Sequence, residues 1–182
     1  MSEKNQISQV WQQFVDKWLE LAKQNGFPEI TADENWPSPC EFQQQEKTFW
    51  QPVKQDETLG FENVEHAIGY KLNDEFKTFF TLYYADNFDA KHSDGELQYL
   101  QAWSKPDFER LQQNLIGHLM MKGRLKQTPT LFFAVTDEED LNIVVDNLTG
   151  KVALEYVGKE PHQTLANSLS AFIQQTTPVI SQ

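Results

Sequence analysis

Cys40, four histidines and several acidic clusters are the residues of this chain whose types could do chemistry. A nucleophilic thiol needs a neighbouring base and a lowered pKa, and the Pro37-Ser38-Pro39 run ahead of Cys40 carries no such signature. A lone cysteine in that setting reads as a small buried apolar residue. His66, His92, His118 and His162 are scattered, and none falls in a zinc-protease pattern or a Cys/His cluster of ligand spacing. His118 sits between Leu115 and Leu119 and reads as a satisfied, partly buried histidine. Asn114, one turn earlier, is its expected hydrogen-bond partner.

The acids invite a metal or glycosidase reading; spacing argues against the metal, while a facing carboxylate pair is not something a sequence alone can show. Asp86 and Asp89 are three apart, which on a strand points them to opposite faces. Asp86-Asn87-Phe88 also breaks the calcium-loop pattern at its third position. Asp137-Glu138-Glu139-Asp140 reads as a solvated turn between strands. A glycosidase pair needs two carboxylates facing each other across a substrate. No glycine-rich phosphate loop appears. The expectation is a chain with no catalytic residue, no cofactor and no metal, and so not an enzyme.

Charge is the more informative feature. The 182 residues carry 15 Lys and Arg against 27 Asp and Glu, a net charge of −12. Such a surface repels phosphate backbones and anionic headgroups and attracts basic partners, so nucleic acid is not an expected ligand. Ten acids and four bases fall between Lys54 and Glu96, and residues 137 to 146 add five acids and no base. The segment Lys105 to Lys126 is net +3, with Lys122, Arg124 and Lys126 at a helix end, where they complement the helix dipole. If the acids converge on one side, they form a negative groove able to steer a basic partner.

The elements that must position these residues follow from periodicity. Trp11, Phe14, Val15, Trp18 and Ala22 predict an amphipathic helix from about Ser8 to Gln24, packed on its own domain and stopped by Gly26 and Pro28. Trp36 to Cys40 is extended, and Phe49 to Val53 is a short edge strand limited by Pro52. Phe61 to Ile68 and Asn73 to Leu82 are helices, the second capped by Asn73. Asn87 to Lys91 and Leu97 to Trp103 flank a Ser93-Asp94-Gly95 turn and form a hairpin. A long helix runs from Pro106 to Met121, capped by Ser104. Strands at Leu131 to Val135, Leu141 to Val145 and Val152 to Tyr156 follow, then a closing helix from Gln163 to Gln174. Phe108, Leu111, Leu115, Leu119, Phe133, Val144, Leu169 and Phe172 are the expected core. Short turns between strands predict a largely antiparallel sheet flanked by helices, an α+β fold in a single domain spanning residues 1–182.

One cysteine allows no intrachain disulfide. No signal-peptide apolar region precedes the first helix, and no run approaches the roughly 18 apolar residues of a membrane span. A cytosolic monomer is expected.

Gln113-Asn114-Leu115-Ile116-Gly117-His118-Leu119, with Trp103-Ser104 and Asp107-Phe108 before it and Arg124-Leu125-Lys126 and Pro129-Thr130 after it, is similar to the Syd family. Pro37-Ser38-Pro39-Cys40, Trp50-Gln51-Pro52, Thr78-Phe79-Phe80-Thr81 and Asn147 to Gly150 extend the resemblance over nearly the whole chain. It departs at Ala85-Asp86-Asn87-Phe88-Asp89, where the family usually carries Gly-Asp-Met. The resemblance implies a SUKH-type fold with a cleft, and a protein that binds the SecY subunit of the translocation channel. It would then act at the cytoplasmic side of the bacterial inner membrane as a peripheral protein, sequestering uncomplexed SecY or restraining defective translocase. Cytoplasmic loops rich in Lys and Arg suit an acidic cleft. The wider SUKH group also includes immunity proteins that block basic toxin nucleases, a role an acidic groove would suit equally. Asp86, Asp89, Asp94 and Glu96 on the hairpin are the first candidates for partner binding, and Glu138, Glu139 and Asp140 the second. Trp50 and Trp103 are candidate aromatic anchors.

Overall fold

In the computed structural model, which describes residues 3–180, the amphipathic opening segment forms α1 (Glu3–Asn25). It is followed by β1 (Glu29–Ile30), β2 (Glu41–Gln44), β3 (Lys47–Trp50) and β4 (Val53–Lys54). Next come α2 (Glu62–Ile68), α3 (Asp74–Thr81), β5 (Tyr83–Tyr84), β6 (Phe88–His92) and β7 (Gly95–Tyr99). The second half comprises α4 (Lys105–Arg124), β8 (Thr130–Thr136), β9 (Leu141–Asp146), β10 (Val152–Tyr156), β11 (Gln163–Ala166), α5 (Leu169–Gln174) and β12 (Thr177–Pro178). The fold is α+β. Its main sheet has seven strands in the order β11-β10-β9-β8-β7-β6-β12, each pair antiparallel.

Period-2 patterning decides which face of that sheet is dry. Phe88 and Ala90 on β6, and Leu97 and Tyr99 on β7, are buried on one face. There α1 lays down Trp11, whose ring stands 4.5 Å from Phe79, 5.6 Å from Phe88 and 5.2 Å from Tyr99. Phe172 of α5 and Phe133 of β8 extend the cluster. Aromatic edge-to-face contacts of this kind add about 0.5–1.5 kcal/mol per pair beyond burial.

The opposite face carries Asp89, Gln98, Val135, Asn142 and Glu155, which are partners in register across β6, β7, β8, β9 and β10. Helix α4 covers the β8–β10 end of this face. Ser104 Oγ accepts the Asp107 N–H at 3.2 Å to start it, with Pro106 in its first turn. Its buried residues are Phe108, Gln112, Leu115, Leu119 and Lys122. Leu111, expected in the core, is half-buried, because the helix is rotated to put Gln112 inward. Gln112 Nε2 donates to the Gly60 carbonyl at 2.7 Å.

Lys122 lies in the last turn of α4, at the helix end where the sequence puts it. It is also 1 % exposed, and its Nζ lies 2.6 Å from Glu155 Oε1. The ammonium also donates to the Lys159 carbonyl at 3.0 Å, while Thr130 Oγ1 donates to Glu155. His118 Nε2 meets Thr130 Oγ1 at 3.2 Å, not Asn114, which is exposed. Burial first, then the Lys122 charge, lowers the His118 pKa from 6.5 to about 4.

The closing helix is shorter than its periodicity suggests. Gln163–Ala166 pairs with β10 as the edge strand β11, and Ser168 Oγ accepts the Ala171 N–H to begin α5 at Leu169. Four short strands (β1, β2, β5 and β12) lay outside the sequence reading. A two- to four-residue strand has too few residues to show alternation.

Two outcomes follow from the buried cluster. Lys122→Met should cost about 3–5 kcal/mol in denaturant melts by leaving Glu155 uncompensated, and adding Glu155→Leu should recover most of it. Because His118 is held neutral when folded, the unfolded chain binds its proton first, so stability falls as pH drops from about 6.5 towards 4. Burial raises the Glu155 pKa and acts in the opposite sense. The His118 part is read as the loss of slope in His118→Gln relative to wild type across that window.

Candidate functional site

Where α4 ends its cover, the second face of the sheet lies open. β6 and β7 present Asp89, Lys91, Glu96 and Gln98 there, because alternate residues on the same strands are committed to the α1 side. Asp89, Glu96, Gln98, Val135 and Asp137 line a hollow of about 350 Å³. Gln98 Nε2 donates to Asp89 Oδ1 at 2.8 Å, which orients that carboxylate. Lys91 stands directly across from Glu96 and offsets part of the charge.

The surface continues in both directions. Around the hairpin tip, Glu96 and Asp137 are shared with a second hollow that Asp94 and Glu138 also line, and whose floor of Leu97, Leu141 and Ile143 belongs to the helix-covered side of the sheet. Towards β1, Asp89 and Gln98 are shared with a hollow that adds Asp86, Trp18 and Trp50. Asp86 and Asp89 therefore line the same depression, contrary to the expectation of opposite faces. The strand begins only at Phe88, so Asp86 precedes the alternation.

Electrostatics register this convergence. Removal from water raises the Asp86 pKa above the ordinary aspartate value, and repulsion from Asp107 and Asp89 adds to it, against the Asn87 N–H bond at 2.8 Å. Asp86 is nevertheless an exposed residue, with its carboxylate set at the rim.

Of the sequence candidates, Asp86, Asp89 and Glu96 line the hollows of the open face, and Asp94 and Glu138 line the linked hollow around the hairpin tip, on the other side of the sheet. Glu139 and Asp140 are exposed on the same β8–β9 turn, with Asp140 at φ 62. Trp50 is 4 % exposed and packs on Trp18 at 4.7 Å and Trp103 at 6.2 Å, so its indole is core rather than a presented anchor. Trp103 is half-buried and lines a further hollow with Trp36, Gln101, Asp107 and Arg110. Asp137, Trp36 and Arg110 escaped the sequence reading. Only the pairing of distant segments brings them beside Asp86 and Glu96.

Cys40 is 1 % exposed, and burial raises its thiol pKa to about 11. No group of three metal-ligating side chains gathers among the described residues.

The fold and its open face define a class: an α+β domain with one sheet face covered by helices and the other partly free and acidic. The family model described as Syd protein (SUKH-2) matches residues 4–178, and the chain belongs to the Syd family. A Protein Syd from Alteromonas mediterranea is 49% identical over 176 residues, covering 95% of this chain and 97% of that one. One from Colwellia psychrerythraea is 47% identical over 161 residues, 82% of this chain and 80% of its own. A third, from Pseudoalteromonas atlantica, is 38% identical over 178 residues, with 94% and 96% covered.

The crowded Asp86 carboxylate yields a prediction with a definite sign. A folded-state pKa above the unfolded value means that its charge opposes folding at neutral pH. Asp86→Asn keeps an acceptor for the Asn87 N–H and should raise the melting temperature at neutral pH. That difference should close as the pH falls through the aspartate range.

Proposed function

We propose that this chain is a non-catalytic binding protein whose acidic open face engages the basic cytoplasmic loops of the SecY channel subunit. By occupying those loops it would monitor or restrain uncomplexed or defective translocase at the cytoplasmic side of the inner membrane. The observation that carries this reading is the convergence of Asp86, Asp89, Glu96 and Asp137 on linked hollows of the open face. Loops with excess Lys and Arg complement such a surface, and like charge disfavours an anionic bilayer as its direct target. No helix among the described residues is long and apolar enough to cross a membrane, so contact through a protein partner is consistent with the chain. Membership of the Syd family supports the same reading.

The open face is built from short hairpins on a packed sheet, so its charges are held in place before a partner arrives. That lowers the ordering cost of binding and makes charge a source of fast association.

The test is capture of detergent-solubilised SecY complexes by immobilised protein across a salt series. Retention at low salt that falls steeply towards about 0.15 M is expected, since exposed charges are screened beyond roughly 8 Å there. Charge reversal of Asp86 and Asp89 to Lys should weaken capture about tenfold or more without lowering the melting temperature. Absence of capture at low salt would overturn the SecY reading, and binding of a soluble basic toxin nuclease instead would establish the immunity role.

A further inference from the structure

Beside Asp86 the acidic face ends in a hollow of about 360 Å³ that is built differently from the rest. Trp36 and Trp103 are among its walls, and Asp33, Glu41, Asp86 and Asp107 supply carboxylates. Gln101 also lines it at 7 % exposure, and its Oε1 has no hydrogen-bond partner. The orientation of that amide is set by its nitrogen. Nε2 donates to the Leu100 carbonyl at 2.9 Å and to the Phe79 carbonyl at 3.3 Å, so the acceptor is the end left over. An unpaired buried acceptor costs stability, and next to carboxylates its dipole deepens the negative potential.

Arg110 is the cation among the lining residues, and its pose shows what the hollow accommodates. Its guanidinium carbon lies 5.2 Å from the centre of the Trp36 ring, and Nη2 is 3.0 Å from Asp107 Oδ1. The side chain is nonetheless 65% exposed, held at the edge rather than packed. Asp107 Oδ2 accepts the Trp103 N–H at 2.8 Å, and the Trp103 carbonyl accepts Ser38 Oγ–H at 2.6 Å, which holds the Trp103 backbone in place. Asp86 Oδ1 takes the Asn87 N–H, and no lysine or arginine pairs with Asp86 among the described residues.

We propose that this hollow is the subsite for one arginine side chain of the protein partner, and that Arg110 is its internal stand-in. The proposal rests on the acidic face being a docking surface for a basic loop, and it names the residue the loop must present. A guanidinium stacks on an indole and bridges carboxylates in a plane, which a compact, strongly hydrated ammonium does less well. The incoming arginine displaces Arg110 from Trp36, and Asp86 becomes its carboxylate partner. Displacement costs little, because Arg110 is already solvent-exposed.

The experiment uses the full chain and two synthetic peptides of equal length and charge, one repeating Gly-Ser-Arg and the other Gly-Ser-Lys, titrated at low salt by calorimetry. The arginine peptide should bind about fivefold tighter. That ratio should fall to near one in Trp36→Leu and widen in Arg110→Gln, where the internal competitor is gone. Far-ultraviolet circular dichroism checks that Trp36→Leu is folded, and Arg110→Gln, which changes an exposed side chain, tests the subsite independently. Equal binding of both peptides to wild type, or a ratio untouched in Arg110→Gln, would remove the subsite while leaving the acidic face as a docking surface. Failure of both peptides to bind would overturn subsite and docking surface together.

Discussion

The Lys122–Glu155 ion pair decides where α4 lies, and the position of α4 decides which part of the sheet stays open. A seven-stranded sheet has two faces to cover, and α1, α3 and α5 share one of them. The other is covered at the β8–β10 end, where Phe132 meets His118 edge-on at 5.3 Å and the 2.6 Å ion pair closes the corner. A charge pair this deeply buried gains its Coulomb attraction only in one geometry, and Thr130 and the Lys159 carbonyl add hydrogen bonds to it from either side. Such a contact gives poor return if the helix slides along the sheet. It therefore acts more as a register pin than as a large net source of stability.

The surface that α4 leaves free is acidic for the same geometric reason. On β6 and β7, alternate side chains are consumed by the aromatic cluster around Trp11, so the intervening positions face water. Those positions hold Asp89, Glu96 and Gln98, and the β8–β9 turn adds Asp137 beside them. Concentrated like charge is costly for folding, and the raised Asp86 pKa records part of that cost. The aromatic core on the far side of the same strands offsets it, since a rigid, deeply buried platform can carry charge that a looser one could not.

Cys40, His118 and His92, three of the groups that first suggested chemistry, are engaged in local contacts. Cys40 is buried with a thiol pKa pushed up to about 11, so at neutral pH it is a thiol rather than a thiolate. His118 is held neutral by burial and by Lys122, with its ring nitrogen engaged by Thr130. His92 stacks on Phe172 at 5.2 Å and shares a hydrogen bond with Gln175. Each is committed to local packing.

Sequence alone determined the helices with strong periodicity or side-chain caps. Asn73, Ser104 and the Trp11-to-Ala22 stripe are local signals, and each is where it should be. The hairpin around Asp94 and the three strands between Thr130 and Tyr156 were legible because alternation over five or more residues is itself local information. The sequence also showed the acid surplus, but not that Asp86 and Asp89 share a hollow, because that depends on the strand beginning at Phe88. Tertiary structure decided the rest: the burial of Lys122, the placing of Trp50 in the core, and Gln163–Ala166 as an edge strand instead of a helix. In each case the deciding partner lies outside the segment itself: Glu155 for Lys122, Trp18 for Trp50, and the neighbouring strand β10 for β11. A one-dimensional pattern records what a residue prefers, whereas long-range pairing fixes which of those preferences is satisfied.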